Sequence, residues 1–307
     1  MTAVPPPYDQ DPIVKLFQTT LAFVSSFSPE GRRLGLESIK VRSLSDQIAL
    51  LLDSSKIETP FAKGDQISFE LNFLKFLWIC VYCILVTTEC VIERETAGTW
   101  QGDLSVLFER GDFLDAFYLF QKALRARPAA VQLSEWLPTP DTDGKIVQAA
   151  NACFHIAVAF IFYHEMAHVI LGHQKLEVSD RIESEKQADT FAMELLIGHV
   201  TEDRQKRSVA IGMANAFYTS LFLLNDIRQL KQGPTHPDID QRLLNLLNGV
   251  NLADETIGYY LKRMTTIALD LFLKLVGGDI HQHEFKTVDQ ALEAYWRAFD
   301  SQKEEAF

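Results

Sequence analysis

Runs of apolar residues separated by short polar breaks dominate this chain, and their spacing predicts a mostly helical protein. Ile13 to Phe27 reads as a first helix. The runs Ser38 to Ser43, Gln47 to Asp53 and Gln66 to Asn72 have a β-like pattern broken by Ser, Pro and Gly, and they predict a small antiparallel sheet. Helices then take over, at about 73–93, 103–126, 145–172, 181–199, 203–231, 237–249, 254–277 and 287–304. Glu135 to Gly144 is the clearest long loop. It reads as a linker between two parts or as the border of a cleft. No internal repeat or low-complexity tract appears. The expected fold class is α+β, mostly helical, in a single domain with two loosely divided parts. These are an N-terminal α+β part over 1–144 and a helical part over 145–307.

Three apolar stretches test for membrane spans: Phe76 to Val86, Ala152 to Tyr163, and Val209 to Leu224, the last interrupted by Asn215, Thr219 and Ser220. None reaches the roughly 18–20 uninterrupted apolar residues that a span needs, so all three are expected as buried helices and no membrane is expected as a partner. Met1 to Pro7 has no basic segment followed by an apolar core, so no secretory signal is expected there.

With 307 residues, 47% hydrophobic and 23% charged, the chain has a globular composition and can bury a large core. A net charge of −12 argues against bulk nucleic-acid binding. Cys80 and Cys83 form a C-x-x-C pair, but it lies inside an apolar helical run with no second pair. They read, with Cys90 and Cys153, as free thiols rather than a zinc or redox site. Reduced cysteines fit a cytoplasmic protein.

The chemistry concentrates in His164-Glu165-Met166-Ala167-His168, an H-E-x-x-H sequence inside the apolar run that starts near Ala149. Positions i and i+4 of a helix lie about 40° apart, so two imidazoles there can bind one Zn²⁺ from the same side. Glu165 stands close enough to hold a metal-activated water without being a ligand. Burying three ionisable groups in five residues without partners is costly, which disfavours a plain core helix. In the next helix, Glu185 and Asp189 are four apart and share a face beside Ala188 and Ala192. Glu185 can supply a third zinc ligand, with Glu183 as its rival, and Asp189 can accept the distal N–H of a zinc-bound histidine. His173 is five residues beyond His168, about 140° round a straight helix, so it cannot join the same metal without a break. Gly172 permits a turn there, and His173 reads as a helix-end cap or a group behind the ligands.

The expected chemistry is peptide-bond hydrolysis, with Glu165 as general base. His236 is the candidate donor to the oxyanion, although Thr235-His236-Pro237 also reads as a helix start. Arg242 either pairs with Asp189 or Glu185 or faces solvent. A zinc-stabilised interaction protein without catalysis is the contrasting reading. Glu165 argues against it, since a structural zinc site needs four closed ligands and no base.

H-E-x-x-H followed by a helix carrying E-x-x-x-D resembles the gluzincin clan of metallopeptidases. Metzincins differ, since Leu171 and Gln174 stand where they have Gly and His. Thr235-His236-Pro237 with Arg242 reads T-H-P-x-x-x-x-R, similar to a segment of M48-like gluzincins. The texture of His155 to His173, Glu185 to Leu196, Lys206 to Ala216 and Pro237 to Leu246 is similar to the Lit peptidase family of phage-exclusion metallopeptidases. The resemblance implies a gluzincin-like zinc core with His164, His168 and Glu185 on the metal and Glu165 as base. It also implies a cytoplasmic bacterial enzyme, dormant until phage infection. The family's best-known member cleaves elongation factor Tu once a phage capsid peptide has bound that factor. Substrate and trigger do not carry over residue by residue, so another cytoplasmic target, such as a repressor, stays open.

Overall fold

The computed structural model describes residues 11–26, 59–63, 66–99, 138–173, 180–198, 200–224, 238–250, 255–276, 285 and 287–305. The described elements are, in order, α1 (Pro12–Ser26), β1 (Phe61–Lys63), β2 (Gln66–Ser68), α2 (Leu71–Thr96), α3 (Lys145–Ile170), α4 (Arg181–Ile197), α5 (Asp203–Phe222), α6 (Ile239–Gly249), α7 (Glu255–Val276) and α8 (Val288–Glu305). The protein is thus mostly helical with a small antiparallel two-stranded sheet.

α3 is the hub. It packs on α5, α4, α2 and α1, and β1 lies against it. A helix with neighbours on several sides must be apolar round most of its circumference. Accordingly Phe154, Ala157, Val158, Phe160, Met166 and Ala167 are all buried. The contact with α5 is close enough to exclude a side chain. A Cβ on Gly212 of α5 would stand 2.4 Å from the Ile156 Cβ of α3 and 3.2 Å from the Cys153 carbonyl oxygen. Some polar residues in this apolar layer are paired: Thr20 Oγ1 of α1 lies 2.7 Å from His155 Nδ1. Trp78 Nε1–H of α2 donates to Asn151 Oδ1 at 2.8 Å, and Asn151 Nδ2 donates to the Pro140 carbonyl at 2.7 Å. This chain of bonds ties the loop before α3 to the two longest helices.

The hairpin pairs Phe61 with Ser68, Ala62 with Ile67 and Lys63 with Gln66. β2 coincides with the start of the run Gln66 to Asn72, but that run does not stay extended. Glu70 keeps β-region backbone as the helix cap, and α2 begins at Leu71, where Leu71, Asn72 and Phe73 turn inward. β1 is too short to register as a pattern in the sequence. The expected helix over 203–231 ends at Phe222, and its part beyond Leu224 lies outside the described residues. The runs at 38–43 and 47–53 and the helix at 103–126 lie outside them too.

By length and composition alone α2 and α3 could each cross a bilayer. Most of the apolar window of each is buried within the protein instead, which is what a core helix requires and is compatible with a soluble protein. Cys80, Cys83 and Cys153 are buried free thiols and Cys90 is half-buried; burial pushes the Cys83 thiol up to about 12.

Candidate metal and active site

α3 brings His164, Glu165 and His168 to the wall of a cavity of about 620 Å³, and α4 brings Glu185 against the same wall. Phe61 and Ala62 of β1, Phe73 of α2 and Phe217 of α5 complete much of its apolar lining. The two imidazoles point the same ring atom inward. His164 Nε2 and His168 Nε2 are 3.1 Å apart. Glu185 Oε2 is 3.4 Å from His164 Nε2, and Glu185 Oε1 is 3.4 Å from His168 Nε2. Three donors tetrahedrally arranged about zinc at roughly 2.0–2.1 Å stand about 3.3 Å from one another. The observed triangle therefore has the size such an ion needs. Two nitrogens and one carboxylate are also the donor set of catalytic zinc sites that keep one position open. Among the described residues, His164, His168 and Glu185 form the group able to hold a metal. The rival Glu183 sits exposed on the first turn of α4, whereas Glu185 is buried.

The outward nitrogens are held as well. His164 Nδ1 lies 2.9 Å from Asp189 Oδ1. Arg242, from α6, grips that carboxylate with two bonds, Nε–H to Oδ2 and an Nη2 hydrogen to Oδ1, both at 2.7 Å. Another guanidinium nitrogen lies 3.8 Å from Glu185 Oε2, and the group stacks 5.2 Å from the Phe217 ring centre. Arg242 thus faces both acidic residues and not solvent. On the other histidine, Gly172 takes a left-handed backbone with φ 71° just past the end of α3, where a side chain would be strained. The turn swings His173 back, so its Nδ1 lies 3.1 Å from His168 Nδ1 and its Nε2 lies 3.1 Å from Gln187 Oε1. His173 is buried and lies outside the donor triangle.

Charge and burial compete in this cluster. Burial alone would push the His164 pKa down, but the bonds to Asp189 and Glu185 outweigh it and raise it to about 9 with no metal present. Burial pushes Asp189 up, yet Arg242 and His164 outweigh that and hold its carboxyl below the ordinary range. Glu165 moves the other way: burial raises it above the usual carboxylate value, against the pull of His164, His168 and the Ala62 backbone N–H on β1. A half-buried carboxylate with a raised pKa, beside a donor triangle and in an open cavity, is suited to accepting and returning a proton.

His236, with Thr235 and Pro237, lies outside the described residues. The sequence pattern offered no sign of Gln187 or Ala62. Gln187 reads as an ordinary exposed glutamine, and its place depends on the left-handed turn at Gly172. Ala62 lies on a strand of three residues, too short to show a pattern.

The profile of a family described as peptidase U49 matches residues 67–264 of the chain. The cell death peptidase of Escherichia coli (strain K12) is 26% identical over 113 residues, which is 36% of this chain and 37% of that protein. The chain therefore spans little more than a third of the curated relative it matches. No solved structure matches the chain.

Proposed function

This chain belongs to the peptidase U49 family, and from that premise we propose that it is a zinc-dependent endopeptidase with a gluzincin-like centre. The observation that carries the reading is the donor triangle of His164, His168 and Glu185, whose edges of 3.1, 3.4 and 3.4 Å suit one tetrahedral ion. Zinc, when bound there, supplies Lewis acidity that lowers the pKa of water towards about 7 and polarises a peptide carbonyl.

The residues divide the remaining work. Glu165 takes the proton from the attacking water and passes it to the leaving amine, and its raised pKa favours that return. The Ala62 N–H on β1 favours the ionised form of the Glu165 carboxylate. Asp189 accepts the Nδ1–H of His164 and so fixes the tautomer that leaves Nε2 free. Arg242 keeps Asp189 ionised while it does so. His236 is assigned the donor to the developing oxyanion, on its place in T-H-P-x-x-x-x-R alone. The apolar walls around Phe61, Phe73 and Phe217 receive substrate side chains and exclude water from the scissile bond.

The biological setting is read as phage defence in the cytoplasm, with elongation factor Tu as substrate and a phage-derived peptide as activator. This setting rests on the resemblance to Lit-type peptidases; the likeness to a protein named cell death peptidase supports its peptidase part. A purified sample incubated with elongation factor Tu, with and without phage capsid peptides, tests it. Cleavage at one bond, blocked by a chelator and absent in Glu165→Gln, is the expected result. A Glu165→Gln variant that still cuts would overturn the mechanism. Chelator-sensitive cleavage of another cytoplasmic protein, such as a repressor, would replace the substrate and keep the chemistry.

A further inference from the structure

The two metal-facing histidines are supported from behind by different chemistry. His164 leans on a charged pair, Asp189 and Arg242. His168 leans on neutral groups, His173 and then Gln187. We infer that His173 and Gln187 are a positioning relay that fixes the tautomer and orientation of His168, with the Gln187 carbonyl setting the sense of the whole chain. The inference rests on the zinc reading above and extends it to two residues that touch neither metal nor substrate.

The proton logic leaves one consistent arrangement. For His168 Nε2 to present a lone pair to a metal, its single proton sits on Nδ1. That Nδ1–H then needs an acceptor, and His173 Nδ1 is 3.1 Å away. A neutral His173 that accepts at Nδ1 carries its own proton on Nε2. The group facing Nε2 is the Gln187 side-chain oxygen at 3.1 Å, which can only accept. Every donor meets an acceptor from Gln187 through to the open nitrogen of His168. Reversing any one link alone would set two N–H groups, or two lone pairs, against each other.

The geometry is specified locally. His173 reaches its position only because Gly172 takes a φ of 71° at the end of α3. The ring is buried although it follows a helix terminus, a place where side chains ordinarily meet water. Gln187 sits on α4, the helix that also provides Glu185. The relay therefore couples the orientation of one ligand to the docking of the helix that brings another.

The test is zinc affinity, measured by competition with a chromophoric chelator, together with the unfolding midpoint of each metal-free protein. His173→Leu removes the acceptor, and Gln187→Lys puts a donor where the relay needs an acceptor. Each should weaken zinc binding roughly 10- to 100-fold. His173→Asn places an oxygen where Nδ1 was, and Gln187→Glu keeps the acceptor; both should stay within a few-fold of wild type. Since Gln187 is exposed, its two variants should unfold where the wild type does when metal-free. Equal zinc affinity in Gln187→Lys and wild type would overturn the relay, as would His173→Asn binding as weakly as His173→Leu. A wild-type protein that takes up no zinc would overturn the zinc reading beneath it, which separates the two failures.

Discussion

Arg242 and Asp189 form the most closely paired charges around the site, and removing one side of the pair should cost more than removing both. Their side chains are only 16% and 12% exposed, and two hydrogen bonds of 2.7 Å join them. Arg242→Leu strips Asp189 of its main counter-charge while burial still disfavours ionisation. Asp189 then keeps only His164 as a partner, and losing one side of a buried pair of this kind costs up to about 3–5 kcal/mol, a large part of a typical total of about 5–15 kcal/mol. In Arg242→Leu/Asp189→Asn the charge is gone, but an amide oxygen can still accept from His164 Nδ1–H. Most of the lost stability should return. Urea unfolding of the metal-free proteins reads this directly as a shift in midpoint at constant slope. Arg242→Leu unfolding at the wild-type midpoint, or a double variant less stable than the single one, would refute this pairing. Zinc binding provides a second check. Arg242 also pushes the His164 pKa down, so its loss favours a protonated ring that competes with the metal.

Gly212→Ala should destabilise the protein by about 1–3 kcal/mol despite the helix-propensity gain of about 1 kcal/mol, because the added carbon meets the Ile156 Cβ at 2.4 Å and no rotamer moves a Cβ; an unchanged urea midpoint would count against the close α3–α5 contact. His155 supplies a pH dependence. Burial holds its pKa below the ordinary 6.5, so it stabilises the fold above that pH and the stabilisation is lost as pH falls through the lowered value. Unfolding midpoints measured from pH 7 to pH 5 should fall more steeply in wild type than in His155→Gln, and parallel curves would refute the assignment. His164→Ala should abolish high-affinity zinc uptake measured on the dialysed protein; full stoichiometry in that variant would remove His164 from the ligand set.

The long helices were legible because burial imposes a simple periodicity: α3, expected at 145–172, runs from Lys145 to Ile170, and α4, expected at 181–199, runs from Arg181 to Ile197. The donor triangle was legible for a related reason, since a helix converts i, i+4 spacing into a shared face. Spacing alone left Glu183 and Glu185 as rivals, and burial separates them. His173 shows where pattern reading stops. Its helical phase pointed it away from His168, and only a left-handed residue at Gly172 turns it back. Arg242 was undecided in sequence because its partner Asp189 is 53 residues away on another helix. β1 escaped because three residues carry too little alternation, although Phe61 and Ala62 line the cavity.

The place of α3 at the centre of the packing has a bearing on how the site opens and closes. Local unfolding is cheapest where few apolar contacts are lost and dearest in the segments that hold the core together. His164, Glu165 and His168 ride on the dearest segment, whereas Glu185 rides on α4, which packs on α3, and Arg242 on α6, which packs on α5. The amide hydrogens of α3 should therefore exchange with deuterium among the slowest in the chain, and those of α4 and α6 sooner. A loosening of α4 would carry Glu185 and Asp189 away together while the two histidines stay in place on α3.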